Sequence, residues 1–255
     1  MKRFLPVRLI LSLSLFLCSA DLVFAQGATI AVAANMKDAF SEIALAFKTS
    51  SKPDMRVVYG SSGNFAAQIM SRAPFNLFIA ADERFPMQLY KNGKTVNEGA
   101  VYAIGKLVLI ARASSGISLG DNKADIAKAI GKANKIAIAK PDLAPYGKAA
   151  VEYLRAEGLW ELAKDKLVYG DNIGVATTYV LTGAADLAFT ALSLAKSPEV
   201  SKEINLTLLN PRLYEPIKQR MVLIRGAPQE AQDLYQFMQS AKAKTILQKY
   251  GYIAP

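Results

Sequence analysis

The sequence predicts an α/β protein of two lobes, each built on a mainly parallel sheet. Short apolar runs that suit buried strands alternate with segments whose apolar residues recur at helical spacing, which is typical of βαβ units. The apolar runs are also too numerous for one sheet of ordinary size. Two sheets with a hinge and a cleft between them follow from these two observations.

The first part of the chain alternates regularly between strand and helix patterns. Residues 36–48 place Ala39, Phe40, Ile43 and Phe47 on one face, which predicts an amphipathic helix. The same part of the chain carries patterns for strands at 28–33, 55–59 and 76–81 and for helices at 65–71 and 83–91.

The later part repeats the alternation. Residues 106–112 (KLVLIAR) form a long apolar strand pattern, and Gly158 and Gly183 are placed to close two helices. The remaining patterns predict strands at 135–139, 167–169, 186–190, 204–209 and 220–224 and helices at 126–133, 148–157, 175–181, 229–240 and 241–250.

The chain is expected to cross between the lobes twice, near Gly105 and near Gly226. Residues 26–104 and 226–255 then form the first lobe, and residues 105–225 form the second. A chain that leaves one lobe and returns to it has two crossing segments. Two such crossings make a hinge.

The first 25 residues read as a signal peptide for export. Lys2, Arg3 and Arg8 give a basic start, residues 9–17 are apolar, and the small-residue site at 23–25 predicts cleavage after Ala25. The apolar run is short for a membrane span. Lipid attachment at Cys18 is disfavoured because Leu17 precedes it where a small residue is expected. The expected location is the periplasm.

Composition excludes several kinds of chemistry. The chain has no histidine, and its one cysteine lies in the leader, so histidine-based catalysis, histidine zinc sites and thiolate nucleophiles are excluded from the mature protein. The formal net charge of +10 favours anionic partners. Nucleic acid is not an expected partner, since no basic run is interleaved with aromatic residues.

Four strand–turn–helix junctions carry the candidate site. The turns are rich in small or polar residues and cover 34–36, 60–64, 145–147 and 171–174. Each would direct free backbone N–H groups and the positive end of a helix dipole towards an anion. Each turn alone also has an ordinary structural interpretation as a cap, a tight turn, a packed tyrosine or a core aliphatic. Their joint occurrence favours an anion site between the lobes.

The same residues leave other functions open. An exported hydrolase would use Ser62 as nucleophile with Lys37 or Lys148 as base, although their spacing does not support it. A basic surface-adhesion module would need only the spread of lysines. Carboxylates are not clustered as metal or glycosidase sites require, and the turn at 60–63 lacks the Gly-Lys-Ser/Thr of a Walker loop.

The ordered blocks of the mature chain resemble the periplasmic molybdate-binding proteins of ABC transporters. The matching blocks are AVAANMKDAFSEIALAF, VVYGSSGNFAAQI, APFNLFIAADERF, AIGKLVLIA, KIAIAKPDLAPYGKAAVEYL, DNIGVATTYVLTGAADLAF and LQKYGYI. The resemblance implies a two-lobed type II periplasmic binding fold, a non-enzymatic role, no cofactor, a membrane permease as partner and a monomer.

The resemblance also implies ligand residues. Asn35, Ser62, Tyr146 and Ile173 match the family's positions, and molybdenum would be held only as its oxyanion through these four residues. The resemblance implies side-chain donors at the first three and a main-chain donor at Ile173. The secondary candidates are Ala34, Ser61 and Gly147.

Three positions set the chain apart within the family. Ala191 stands where one branch has a ligand tyrosine, so this chain resembles the branch with a tyrosine at Tyr146. Asn76 replaces a usual aspartate and is expected to affect packing. Ile173 replaces a usual valine.

The expected function is capture of molybdate or tungstate in an interlobe cleft for delivery to an ABC transporter. The alternative is another tetrahedral oxyanion such as sulfate, thiosulfate or phosphate. A cleft of donors alone would disfavour hydrogen phosphate, whose proton needs an acceptor.

Overall fold

The computed structural model describes residues 27–47 and 55–255. The expected leader, its cleavage point and Cys18 lie outside the described residues. Within the described ranges, no helix is long and apolar enough to cross a membrane.

Ten strands and ten α-helices make up the described part of the chain. The strands are β1 (Thr29–Ala33), β2 (Arg56–Gly60), β3 (Leu77–Ile79), β4 (Ala100–Gly105), β5 (Leu107–Arg112), β6 (Ile136–Ala139), β7 (Leu167–Gly170), β8 (Leu187–Ala191), β9 (Ile204–Leu208) and β10 (Ile217–Leu223). The helices are α1 (Lys37–Phe47), α2 (Ser62–Met70), α3 (Arg84–Lys91), α4 (Lys123–Lys132), α5 (Pro145–Ala156), α6 (Trp160–Ala163), α7 (Ile173–Leu181), α8 (Leu192–Ala195), α9 (Gln229–Phe237) and α10 (Ala241–Lys249).

Two five-stranded sheets confirm the two-lobed α/β architecture. Their strand orders are β2-β1-β3-β10-β4 and β7-β6-β8-β5-β9. Each sheet is mixed, because β10 runs antiparallel to both neighbours in the first sheet and β5 does so in the second. The other four strands of each sheet share one direction, so their carboxyl ends lie at a common edge.

The second crossing lies earlier than the sequence predicts. Strand β10, which was placed in the second lobe by the boundary near Gly226, pairs with β3 and β4 of the first sheet. Its apolar pattern suits either sheet, and only long-range pairing decides between them. The first crossing agrees with the prediction near Gly105, because only Lys106 separates β4 from β5.

The sequence patterns do not predict strand β4 or the short helices α6 and α8. The strands and helices that they do predict are found within a few residues of their expected bounds. In β1, the alternation of buried side chains sends Ile30 and Val32 to one core and Ala31 to the other, so the first sheet is covered on both faces. Asn76 lies outside the pocket lining, and its Oδ1 accepts from the N–H of Thr29, the first residue of β1, at 2.8 Å.

Candidate functional site

The four predicted turns meet in one pocket between the lobes. Two of them follow β1 and β2 of the first sheet, and the other two precede α5 and α7 of the second lobe. The free space inside the closed pocket is about 10 Å³, room for about one water molecule. Its lining consists of Ala33, Ala34, Asn35, Gly60, Ser61, Ser62, Ala81, Ala144, Pro145, Tyr146 and Ile173.

The cleft is closed around this pocket. Asn35, Ser62 and Tyr146 are each 1% exposed and Ile173 is 4% exposed. Beside the pocket, the N–H of Gly63 donates to the carbonyl oxygen of Leu143 in the second lobe at 2.8 Å. Arg84 donates to the carbonyl oxygen of Asp142 at 3.0 Å. These bonds hold the first lobe against the second beside the pocket.

Glycine at position 63 permits this contact. A Cβ at Gly63 would lie 2.8 Å from the Phe85 ring and 2.9 Å from Leu143 Cα. The backbone of the second lobe therefore approaches α2 more closely than any side chain would allow.

Two serine hydroxyls at the start of α2 line the pocket. The Ser62 Oγ accepts the Ala81 N–H at 2.9 Å, which leaves its own proton for another acceptor. Ser61 is 4% exposed, and its Oγ has no hydrogen-bond partner in the described part of the chain. Buried hydroxyls are ordinarily paired, so the secondary candidate Ser61 has a stronger claim to a ligand than the sequence indicated.

Asn35 lies in the pocket, but its amide protons are used elsewhere. Its Nδ2 donates to Gln219 Oε1 at 2.9 Å and to the Tyr252 hydroxyl at 2.8 Å. Its Oδ1 is buried and has no partner among residues 27–47 and 55–255. The expected side-chain donor is therefore replaced by a side-chain acceptor, and the donor that Asn35 can offer is its main-chain N–H near the start of a helical turn.

Tyr146 also lines the pocket, and its hydroxyl reaches towards the crossing strands. The Tyr146 hydroxyl, which the resemblance implies as a ligand donor, accepts from Gln219 Nε2 at 3.0 Å, and this bond does not use its own proton. Burial raises the pKa of Tyr146 well above its ordinary value, so the hydroxyl stays protonated at neutral pH. As the second residue of α5, Tyr146 also directs a main-chain N–H out of the helix start.

Ile173 and Ala34 also line the pocket, whereas Gly147 lies outside the lining. Ile173 opens α7 behind the cap Asn172, whose side chain accepts from the Val175 N–H. The N–H of Gly147 donates to Ala144, and a Cβ there would lie 2.0 Å from the Ala139 carbonyl oxygen. Gly147 therefore serves the close packing of α5 on β6.

A charged opening of about 180 Å³ lies beside the pocket. Its lining includes Asp82, Glu83, Arg84, Lys148, Glu152, Glu215 and Lys218. Hydrogen bonds from Lys148 to Glu215 and Glu152 raise the pKa of Lys148. A lysine whose ammonium form is stabilised in this way is a poor general base for Ser62, which argues against the hydrolase alternative. No cluster of three or more potential metal ligands occurs within the described ranges.

The sequence interpretation did not identify the residues behind the pocket. Gln219, Tyr102, Tyr252 and Ser193 are buried and form a polar network with Asn35 and Tyr146. One signal was available for Gln219, because period 2 in β10 places it on the inward face with Ile217 and Met221. Ser193 lies in an apolar run and offered no such signal.

Comparison with known proteins agrees with this geometry. The family model described as bacterial extracellular solute-binding protein matches residues 28–253. The chain belongs to this family.

Individual relatives point the same way. The chain is 36% identical over 255 residues to the molybdate-binding protein ModA of Azotobacter vinelandii, a match that covers 96% of each chain. It is 35% identical over 227 residues to ModA of Rhodobacter capsulatus, covering 88% of this chain and 86% of that protein. The structure of the periplasmic molybdate-binding protein of A. vinelandii superposes with a TM-score of 0.81 at 30% identity, covering 89% of this chain and 99% of that one. The predicted family and the type II periplasmic binding fold are thereby confirmed.

Asp82 provides a test of the electrostatics beside the pocket. Burial raises the pKa of Asp82 to about 6, above its ordinary value of 3.8. The Asp82 carboxyl therefore loses its proton at lower pH in the unfolded chain than in the folded protein. As a result, Asp82 lowers the free energy of unfolding as the pH rises from about 4 to about 6. Asp82→Asn is expected to stabilise the protein by about 1–3 kcal/mol at pH 8 and by almost nothing at pH 3.5. Chemical denaturation at both pH values measures the difference.

Asp171→Asn is the matched control. Asp171 is an exposed carboxylate paired with Lys140, and its loss is expected to change stability by less than about 1 kcal/mol. A gain or loss for Asp82→Asn that is equal at both pH values would contradict the interpretation.

Proposed function

We propose that the protein captures molybdate, or tungstate, in the interlobe pocket and delivers it to an ABC transporter. The observation that carries the proposal is the convergence of four turn or helix starts from both lobes on one small pocket, in a chain about one-third identical to molybdate-binding proteins. The pocket lining found among the described residues carries no charged side chain. Neutral donors and helix dipoles then compensate the anion.

The proposed donors are backbone N–H groups and two hydroxyls. Asn35, Ser62, Tyr146 and Ile173 supply main-chain N–H groups, and Ser61 and Ser62 add their hydroxyl protons. Hydrogen bonds to a charged group contribute roughly 1.5–3 kcal/mol each. Six of them support binding near −12 kcal/mol, on the order of nanomolar affinity, once the costs of ordering and desolvation are subtracted.

The proposed cellular setting follows from the leader and the family. Residues 1–25 direct export and cleavage falls after Ala25, so the mature protein acts in the periplasm. It works as a monomer without a cofactor and hands its ligand to a membrane permease. Nucleic acid has no part in this function.

Hydrogen phosphate is the second candidate, and one atom favours it. The buried Asn35 Oδ1 has no partner among the described residues, and it could accept the proton that hydrogen phosphate carries. The donor-only cleft expected from the sequence would have disfavoured that anion. Molybdate remains the preferred ligand because the whole mature chain, and not one atom, matches the molybdate-binding relatives.

A thermal-shift panel tests the proposal. The mature chain is measured alone and with molybdate, tungstate, sulfate or phosphate. A ligand at 1,000 times its Kd stabilises the folded state by about 4 kcal/mol, which raises the Tm by several degrees. We expect this response to molybdate and tungstate at micromolar concentration. A large shift with phosphate or sulfate and none with molybdate would refute the assignment.

Ser61→Ala separates a ligand contact from a structural contact. Because the buried Ser61 hydroxyl has no partner among the described residues, its removal is not expected to destabilise the ligand-free protein. The lost donor is expected to weaken molybdate binding about 10- to 100-fold in calorimetry.

Ser71→Ala is the control at the other end of α2. Ser71 is exposed and caps the helix C-terminus through its backbone, so affinity is expected to stay unchanged. Equal affinity of wild type and Ser61→Ala would remove Ser61 from the site.

A further inference from the structure

Gln219 is a fully buried polar side chain that lies behind the pocket and outside its lining. It lies on β10, next to a shift in the pairing register between β10 and β4. Such irregularities re-aim side chains within a sheet. A buried carboxamide is costly unless it is fully paired, so its partners indicate its role.

The two ends of the Gln219 carboxamide bind different lobes. Its Oε1 accepts from Asn35 Nδ2 at 2.9 Å and lies 2.8 Å from the Tyr102 hydroxyl, both in the first lobe. Its Nε2 donates at 3.0 Å to the Tyr146 hydroxyl of α5, in the second lobe. One side chain thus connects the Asn35 turn with the start of α5.

The crossing strand β4 leaves room for this bridge. A Cβ on Gly105 would lie 2.1 Å from the Tyr146 hydroxyl oxygen and 2.6 Å from Gln219 Nε2. Glycine at the hinge therefore lets the tyrosine of the second lobe reach the glutamine of the first.

A second buried contact fixes the same turn. The Ser193 hydroxyl, from the second lobe, donates to the Asn35 carbonyl oxygen at 2.8 Å, and the Tyr252 hydroxyl lies 3.0 Å from both groups. With the Asn35 turn held in this way, the bond from Gln219 to Tyr146 sets how far α5 stands from it. That distance determines the size of anion that the backbone donors of both lobes can reach together.

We propose that Gln219 is a positioning residue for size selectivity, which holds Tyr146 and the start of α5 at a fixed distance from the Asn35 turn without touching the ligand. The inference rests on the proposed oxyanion function. Its consequence is that the ratio of molybdate to sulfate affinity depends on the bond between Gln219 and Tyr146, because sulfate is the smaller anion.

A double-mutant cycle tests this. Molybdate and sulfate affinities are measured by calorimetry for wild type, Tyr146→Phe, Gln219→Met and the double variant. Loss of one hydrogen bond corresponds to about a 3- to 10-fold effect. We expect Tyr146→Phe to lower the molybdate-to-sulfate affinity ratio about 3- to 10-fold in wild type and less than about 2-fold in the Gln219→Met background. Gln239→Met, the same change at a glutamine after α9 whose Nε2 donates to the Tyr235 carbonyl oxygen, is expected to leave the ratio unchanged.

The possible results distinguish a failure of the Gln219 proposal from a failure of the proposed oxyanion function. Equal effects of Tyr146→Phe in both backgrounds, or lower affinity for both anions at a constant ratio, would overturn the role of Gln219. Wild-type protein that binds neither anion would refute the proposed function instead. The unfolding free energies of the same four proteins would then decide whether the two residues are coupled, and additive values would reject the bridge. If Gln219→Met does not fold, Gln219→Leu, which has a similar volume and also lacks the Nε2 donor, repeats the cycle.

Discussion

The structure depends on bringing the backbone N–H groups of helix starts from two lobes to one buried pocket. Each helix start carries such groups by necessity, and burying them without an acceptor is costly. The parallel strands of both sheets end at the edge where these starts lie, so the fold itself aims them at a common ligand. Closure brings the four matched residues to between 1% and 4% exposure, which removes the competing water. An anion between the lobes would satisfy donors that neither lobe can satisfy alone.

The polar network behind the pocket is proposed to set the distance at which closure stops. Gln219, Ser193 and Tyr252 link the Asn35 turn to the second lobe through buried hydrogen bonds. Buried polar groups keep a narrow range of geometries because a misaligned partner costs nearly as much as a missing one. Apolar packing between the lobes would tolerate sliding, whereas this network does not. In the proposed division of roles, backbone and serine groups would face the ligand, and the larger polar side chains would hold the two lobes at a fixed distance.

Local sequence patterns predicted much of the fold and the general position of the site. Period 2 and period 3.6 patterns are local, and so are the turns that open α2, α5 and α7. The lobe of β10 could not be read locally, because its apolar face fits either sheet. The role of Asn35 was only half predicted: its position in the pocket was correct, but its amide partners lie 184 and 217 residues away. The hydroxyl of Tyr146 likewise reaches Gln219, 73 residues away, which no turn motif encodes.

The most direct test of the central claim is to locate the anion by its own scattering. Crystals of the mature protein grown with molybdate would be measured at the molybdenum absorption edge. The account predicts one strong anomalous peak inside the interlobe pocket, within hydrogen-bond reach of the main-chain N–H groups of Ser62, Tyr146 and Ile173. A peak in the charged opening beside Lys148 and Glu215, or no peak at saturating molybdate, would contradict it.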